Sequence, residues 1–173
     1  YAYSFGGDYR DRLWEISLGF TEVGDSFNPE VGFLSRDAYR NVSARWLRHI
    51  RFESVPWFRE MRPHMSWTEF WDLGGFSEGR LIHMDNHFEF ANGAFFQLPG
   101  FNIPGEGLKE PFEIREGIVI PAGTYNNLDW QFRANTNLSA PLSGSIGWDA
   151  GGFYTGTRVG PNATVTWRWR DRL

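Results

Sequence analysis

Residues 124–138, TYNNLDWQFRANTNL, decide the fold of this 173-residue chain. From Leu128 to Leu138 every even position except Thr136 is apolar, and every odd position is polar or charged. Successive side chains of a β-strand point to opposite faces, so this alternation predicts a strand with one apolar and one polar face. Ala140-Pro141 then ends the pattern.

The same alternation recurs along most of the chain. Its apolar members form five further runs: Trp14, Ile16, Leu18, Phe20; Val42, Ala44, Trp46; Ile82, Met84, Phe88, Phe90; Leu142, Ile146, Trp148, Ala150; and Ala163, Val165, Trp167, Trp169. Residues 91–93, Ala-Asn-Gly, predict a hairpin turn. We therefore expect an all-β fold of roughly eight to ten strands in an antiparallel up-and-down order, with no helix.

Prolines and glycines predict where this order is interrupted. Pro56 and Pro63 should make residues 52–71 an edge or broken strand. Gly160-Pro161-Asn162 should separate two strands. Residues 24–34 and 99–122 should be loops, the first turning at Asn28-Pro29-Glu30, where carboxylate and amide oxygens could alternatively collect Ca²⁺.

Composition excludes several classes of protein. The chain has no Cys, which rules out disulfide scaffolds, cysteine-based metal sites and thiol nucleophiles. A net charge of -4 does not suggest a nucleic-acid partner. A run of about 18 apolar residues, as a membrane-spanning helix needs, is absent. The mean hydropathy of -0.45 does not decide solubility, because membrane β-strands also average polar and apolar faces.

The apolar face points either to a protein core or to lipid. The alternating runs are long enough for tilted membrane strands, which need about 9 to 11 residues. Aromatic residues lie near strand ends, as in an aromatic girdle. These features favour a transmembrane β-barrel of the outer-membrane type, or a section of one, over a soluble sandwich or jelly roll, which stays open as the alternative.

Three segments carry a family resemblance: residues 18–34, LGFTEVGDSFNPEVGFL; residues 108–125, LKEPFEIREGIVIPAGTY; and residues 151–157, GGFYTGT. The chain resembles a bacterial family of outer-membrane β-barrel domains of unknown function, usually found downstream of a family 9-like carbohydrate-binding domain. The resemblance implies the outer membrane of a Gram-negative-type bacterium and a single barrel domain over residues 1–173 or a fragment of one. It supplies no catalytic residues.

One strand carries candidate metal ligands at alternate positions, namely His83, Asp85, His87 and Glu89. Imidazole and carboxylate are ligands for zinc-type ions. Positions two apart on a strand are about 7 Å apart, so one ion would need strand distortion or ligands from a neighbouring strand. The alternative is a polar row that pairs with arginines.

The polar faces of other strands offer candidates for binding a solute, namely Asp129, Gln131, Arg133 and Arg168. Arg168-Trp169-Arg170 fits alternating lumenal arginine and lipid-facing Trp better than a nucleic-acid patch. Carboxylates in and beside the second loop could support glycoside hydrolysis if they were held about 5 to 10 Å apart; they are Glu106, Glu110, Glu113, Glu116 and Asp129. No Ser-His-Asp signature, phosphate loop or dinucleotide motif occurs.

The sequence thus predicts a non-catalytic outer-membrane channel, receptor or scaffold, with a link to carbohydrate binding or uptake left open. A soluble carbohydrate-binding β-sandwich and an outer-membrane hydrolase are the alternatives. We expect no cofactor and no catalytic residue. The expected partner is outer-membrane lipid, with a carbohydrate ligand and other protein subunits left open and no nucleic acid.

Overall fold

A computed structural model describes residues 1–169, and the regular structure in this range is β-strand throughout. Arg170, the last residue of the predicted alternation Arg168-Trp169-Arg170, lies outside the described residues. The strands are β1 (Ala2–Arg10), β2 (Trp14–Val23), β3 (Tyr39–Arg48), β4 (Phe58–Asp72), β5 (Ser77–Phe90), β6 (Phe95–Leu108), β7 (Phe112–Arg115), β8 (Ile118–Ile120), β9 (Gly123–Asn126), β10 (Asp129–Asn135), β11 (Leu142–Phe153) and β12 (Gly156–Trp167).

Ten of the strands form one antiparallel sheet in chain order. Its path runs β1 to β6 and then β10 to β12, with β9 paired to β6, while β7 and β8 form a separate two-stranded sheet. Within the described residues β1 and β12 end this path, and no pairing joins them. The predicted all-β, antiparallel, up-and-down order is confirmed. None of the described segments is a helix long and apolar enough to cross a membrane.

Cross-strand register keeps the apolar positions together. One row runs across five strands through Leu18, Ala44, Trp67, Ile82 and Ile103, each opposite the next. Directly opposed residues share a face, so the strands contribute to one continuous apolar surface. The alternation read from the sequence is therefore a property of the whole sheet.

Burial on this sheet is inverted relative to a soluble protein. On the apolar face Leu18 is 63% exposed and Ile146 is 53% exposed. Among the described residues, the buried polar and charged side chains outnumber the buried hydrophobic ones, which are Val23, Leu47 and Ile120. Five of the buried polar side chains lie on the polar face, namely Glu60, Asp85, Gln97, Asp129 and Ser143, while Glu22 and Glu69 lie at one end of the apolar face. Soluble domains bury apolar side chains and expose charged ones. The polar face is thus the crowded side of this sheet.

The crowded polar face leaves no room for a side chain at position 151. Gly151 lies opposite Asp129, and a Cβ there would collide with Asp129 Oδ1 and with the carbonyl oxygen of Leu128. Gly144 lies on the apolar face of the same strand, where a Cβ would meet only Thr164 O at an ordinary 3.5 Å.

Polar groups close one end of the apolar face. Glu22 and Arg40 lie opposite each other there, and Arg40 Nε donates to Glu22 Oε2 at 2.6 Å. On the same face and toward the same end, Glu69 accepts from Trp67 Nε1 at 3.1 Å and from Ser77 Oγ at 2.7 Å. The apolar surface is therefore a band with a polar border, not a stripe that continues to the strand ends.

The prediction of an edge or broken strand at residues 52–71 was wrong. β4 is continuous and interior, with Pro63 opposite Asn86 of β5. The amide of Met61 donates to the carbonyl oxygen of Ile50, on the edge of β4 that faces away from β5. The nitrogen of Pro63, two residues further along the strand, faces that same edge. The ladder with β3 starts only at His64, so the N–H that Pro63 lacks has no ladder partner to lose.

Two further predicted interruptions are strands. Residues 99–108, expected to lie in a loop, continue β6. The pairing with β5 shifts register between Met84 and His87, opposite residues 97–101 of β6. Pro161 lies within β12, opposite Trp148. Among the described residues β12 pairs on one side only, and an edge strand tolerates a proline whose nitrogen faces away from the ladder.

The predicted loop at residues 99–122 also contains β7 and β8. Two turn predictions are confirmed, and one strand was missed. Asn92 and Gly93 form the turn between β5 and β6, where Gly93 has a φ of 83° and Asn92 Oδ1 accepts the Ala94 amide. The first loop turns at Asn28, whose Oδ1 accepts the Glu30 amide at 3.1 Å. The strand β1, which pairs with β2 along its whole length, was not predicted from the sequence.

Candidate functional site

A cluster of three histidines around one aspartate lies on the polar face of β4 and β5. His64 of β4 is directly opposite Asp85 of β5, while His83 and His87 flank Asp85 two residues away on either side. One ligand atom each from His64, Asp85 and His87 lie within 4.8 Å of one another. The His64 ring centroid is 5.2 Å from that of His83 and 4.8 Å from that of His87.

Asp85 is the buried centre of this cluster. Its side chain is 1% exposed, and its Oδ2 lies 3.1 Å from His83 Nε2 and 3.2 Å from His87 Nε2. Its Oδ1 lies 2.8 Å from His64 Nδ1, but the two atoms are not aligned for a hydrogen bond. Within residues 1–169, every ion-pair contact of Asp85 is to a histidine.

A second layer of contacts holds the rings. His83 Nδ1 lies 2.7 Å from Asn102 Oδ1 on β6, and His64 Nδ1 lies 3.3 Å from the carbonyl oxygen of Arg62. The carbonyl oxygen of Arg62 and the amide oxygen of Asn102 are acceptors, so both contacts are hydrogen bonds in the tautomer that carries its proton on Nδ1. Nε2 of each of these two rings is then the nitrogen left to accept a proton or a metal ion.

Glu89, predicted as a fourth ligand of the row, does not join the cluster. It forms an ion pair with Arg62, which also contacts Glu60 Oε1 at 3.5 Å. The register shift between Phe58 and Glu60 on β4 places Glu60 opposite Glu89, and Arg62 neutralises both. The ion pair with Arg62 therefore holds Glu89 outside the histidine cluster.

The other candidates lie in a network across β6, β10 and β11. Gln97 Nε2 donates to Gln131 Oε1 at 2.9 Å, and Gln131 Nε2 donates to Asp149 Oδ1 at 3.2 Å. Arg133 Nη2 donates to both oxygens of Asp149, at 2.9 and 2.7 Å. These polar groups satisfy one another across the strands.

Asp129 and Arg168 are separate from that network. Asp129 is buried and forms an ion pair with Arg158 of β12. Arg168 donates through Nη1 to the carbonyl oxygens of Leu138 and Ala140, at 2.7 and 3.2 Å, in the turn before β11. Gln131 and Arg133 share one network, while Asp129 and Arg168 each have separate partners, so the four residues predicted to bind a solute do not form one site.

A histidine outside the cluster has a comparable environment. His49 lies between Glu15 and Glu60, with each ring nitrogen 3.3 Å from one carboxylate oxygen. Glu60 also contacts Arg51 Nη2 at 2.8 Å. This arrangement is an ion-pair network, since each carboxylate is also paired with arginine.

Four of the five carboxylates proposed for hydrolysis, all but the buried Asp129 that pairs with Arg158, are spread over four elements. Glu106 lies in β6, Glu110 in the turn after it, Glu113 in β7 and Glu116 in the following turn, and all four are exposed. A catalytic acid depends on burial or a close partner to shift its protonation. These residues show neither feature.

His64 is the site residue that sequence reasoning missed. Glu60, Arg62, His64 and Ser66 alternate with Met61, Met65 and Trp67, so the polar face was visible in the sequence. Pro63 obscured this face, because a proline inside a strand pattern predicts a broken strand. The register that sets His64 against Asp85 depends on the β4–β5 turn, where Asp72 Oδ1 accepts the Phe76 amide.

Comparison of the chain with protein-family models, with curated proteins and with solved structures found no match.

Proposed function

We propose that the chain is a membrane-embedded β-sheet protein of the outer-membrane type, a barrel or a section of one, whose apolar face contacts lipid. The observation that carries this proposal is the inverted burial, in which the apolar face is exposed and the charged face is crowded. An aqueous environment would penalise exposing so large a contiguous apolar surface, whereas lipid would solvate it.

The polar border of the apolar band supports the same proposal. Charged groups lie on the apolar face toward the strand ends, with Glu22, Arg40 and Glu69 at one end and Arg48, over the Trp14 ring, at the other. Charges on a lipid-facing surface cost least near the membrane interface. The resemblance found in the sequence implies the same location.

The polar face supports a passive role as channel, receptor or scaffold. Its side chains are tied across strands by Gln97–Gln131–Asp149–Arg133 and by Asp129–Arg158. Such a face suits a water-filled or networked lumen. A carbohydrate as the solute rests on the resemblance alone.

A soluble β-sandwich would need a second sheet over the apolar face. Within the described residues the second sheet consists of β7 and β8, of four and three residues. These strands are too short to cover a ten-stranded sheet.

Flotation with lipid vesicles tests the proposal. The chain, refolded from denaturant into phosphatidylcholine vesicles, should float with the lipid, resist carbonate extraction and show heat-modifiable migration on a gel. A monodisperse, β-folded chain in detergent-free buffer that stays at the bottom of the gradient would overturn the proposal.

A further inference from the structure

We propose that His64, Asp85 and His87 bind one divalent transition-metal ion of the zinc class on the polar face of the β4–β5 hairpin. This inference stands apart from the membrane proposal, because it depends only on the register of two adjacent strands. The site joins ligands from two strands, which removes the spacing problem of residues two apart on one strand.

The donor set fits such an ion. Two imidazoles and one carboxylate are the protein ligands of many three-ligand zinc sites, which leave further positions for water or another ligand. Ligand atoms around tetrahedral zinc lie about 3.3 Å apart when each bond is about 2.0 to 2.1 Å. Asp85 Oδ2 and His87 Nε2, 3.2 Å apart, are already at this spacing, and one ligand atom each from His64, Asp85 and His87 lie within 4.8 Å of one another, so the rings need only a small inward shift.

The buried carboxylate supplies a second, independent observation. Asp85 Oδ1 is buried without a hydrogen bond, although His64 Nδ1 is only 2.8 Å away. An unsatisfied charged oxygen at 1% side-chain exposure carries a large desolvation cost. A cation coordinated beside it would remove that cost.

The third histidine, His83, is held between two polar groups. Its Nδ1 lies 2.7 Å from Asn102 Oδ1, and its Nε2 lies 3.1 Å from Asp85 Oδ2. His83, fixed by Asn102, thus acts as a positioning residue for the carboxylate, in the manner of the outer ligand shell of metal sites.

Charge around the cluster leaves room for a cation. Arg62 faces Glu60 and Glu89, and no Lys or Arg among the described residues contacts Asp85. The alternative is a metal-free cluster in which one or more imidazoles are protonated. The two differ in whether a metal binds tightly and with defined stoichiometry.

Titration with Co²⁺ and Zn²⁺ separates the two. The full chain, folded in detergent and stripped with a chelator, should bind one Co²⁺ per chain with visible ligand-field absorption, and Zn²⁺ should displace it. H64Q, D85N and H87Q should each reduce affinity by more than about 100-fold, and N102A by about 10- to 100-fold. Binding should weaken below about pH 6, because the imidazoles must be unprotonated.

Two matched controls keep the test specific. H49A removes a histidine that also contacts two carboxylates, and E89Q removes the predicted ligand that the structure pairs with Arg62. Both should leave the Co²⁺ spectrum and stoichiometry unchanged. Absence of stoichiometric binding by the folded chain, or equal loss of binding in H49A and H64Q, would overturn the proposal. Circular dichroism establishes folding of each variant, in detergent or in detergent-free buffer, so failure of the flotation test leaves this result unaffected.

Discussion

Buried carboxylates on the polar face are each matched by cationic or imidazole groups. Glu60 contacts His49, Arg51 and Arg62, while Asp129 contacts Arg158. Burying a charge is costly unless it is paired and hydrogen-bonded. The pairing pattern therefore explains how a sheet can crowd its charged face without losing stability.

Removing one member of the Asp129–Arg158 pair should be destabilising. Asp129 has a side-chain exposure of 3%, so R158A leaves a nearly buried, unpaired carboxylate. Arg158 itself is half exposed, which limits the effect, and we expect a loss of about 2 kcal/mol in the free energy of unfolding. Urea unfolding in detergent measures it. The double variant D129N/R158A should recover part of the loss; a double variant less stable than R158A alone would contradict this account.

A methyl group at position 151 should cost more than one at position 144. The Cβ of G151A would collide with the backbone oxygen of Leu128 and with Asp129 Oδ1. We expect a loss of about 1 to 3 kcal/mol for G151A. G144A, on the apolar face of the same strand, should lie within about 0.5 kcal/mol of the parent chain. Equal effects in the same urea unfolding would show that the two faces are equally crowded.

At the scale of elements, the β7–β8 hairpin is an appendage to the main sheet. Leu108 of β6 is directly opposite Gly123 of β9, so the β6–β9 ladder closes before the hairpin begins. The contacts of the segment with the main sheet include Lys109 Nζ, 2.6 Å from Asp72 Oδ2 and 3.6 Å from Glu78 Oε1. These are exposed ion pairs and contribute little.

Residues 109–122 should therefore be replaceable by a two-residue Asn-Gly turn, which suits a tight antiparallel hairpin. We expect the Co²⁺ spectrum to be retained and the free energy of unfolding to fall by about 1 to 3 kcal/mol, because the deletion removes the buried Ile120 side chain. K109A is the control that isolates the ion pairs. Loss of β-structure or of Co²⁺ binding in the shortened chain would show that the hairpin is integral to the sheet.

The alternation of polar and apolar residues made the strands and their faces predictable, because a period of two is a local property. Prolines misled the prediction at Pro63 and Pro161, since their effect depends on which side of the strand the nitrogen faces. That orientation is a property of pairing, not of sequence. The local alternation placed His83, Asp85 and His87 on one face. His64 lies on another strand, so it could be added only once the β4–β5 register was known.

At the scale of the whole molecule, the sheet has two distinct surfaces and, within residues 1–169, two strands that end its path. One surface carries exposed Leu, Ile, Trp and Phe side chains, and the other carries paired charges. This arrangement gives a direct prediction for the environment of neighbouring residues. Adjacent positions on one strand should report lipid and water alternately.

The lipid-facing orientation of the apolar surface is tested most directly with single cysteines, because the chain has no native cysteine. Single cysteines at Ile146 and Ser145 of β11, and at Leu18 and Ser17 of β2, are labelled with a small fluorophore in vesicle-reconstituted chain. We predict strong quenching by brominated lipid at positions 146 and 18, and by aqueous iodide at positions 145 and 17. Quenching by iodide at all four positions, or the reverse assignment of faces, would contradict a lipid-facing apolar surface.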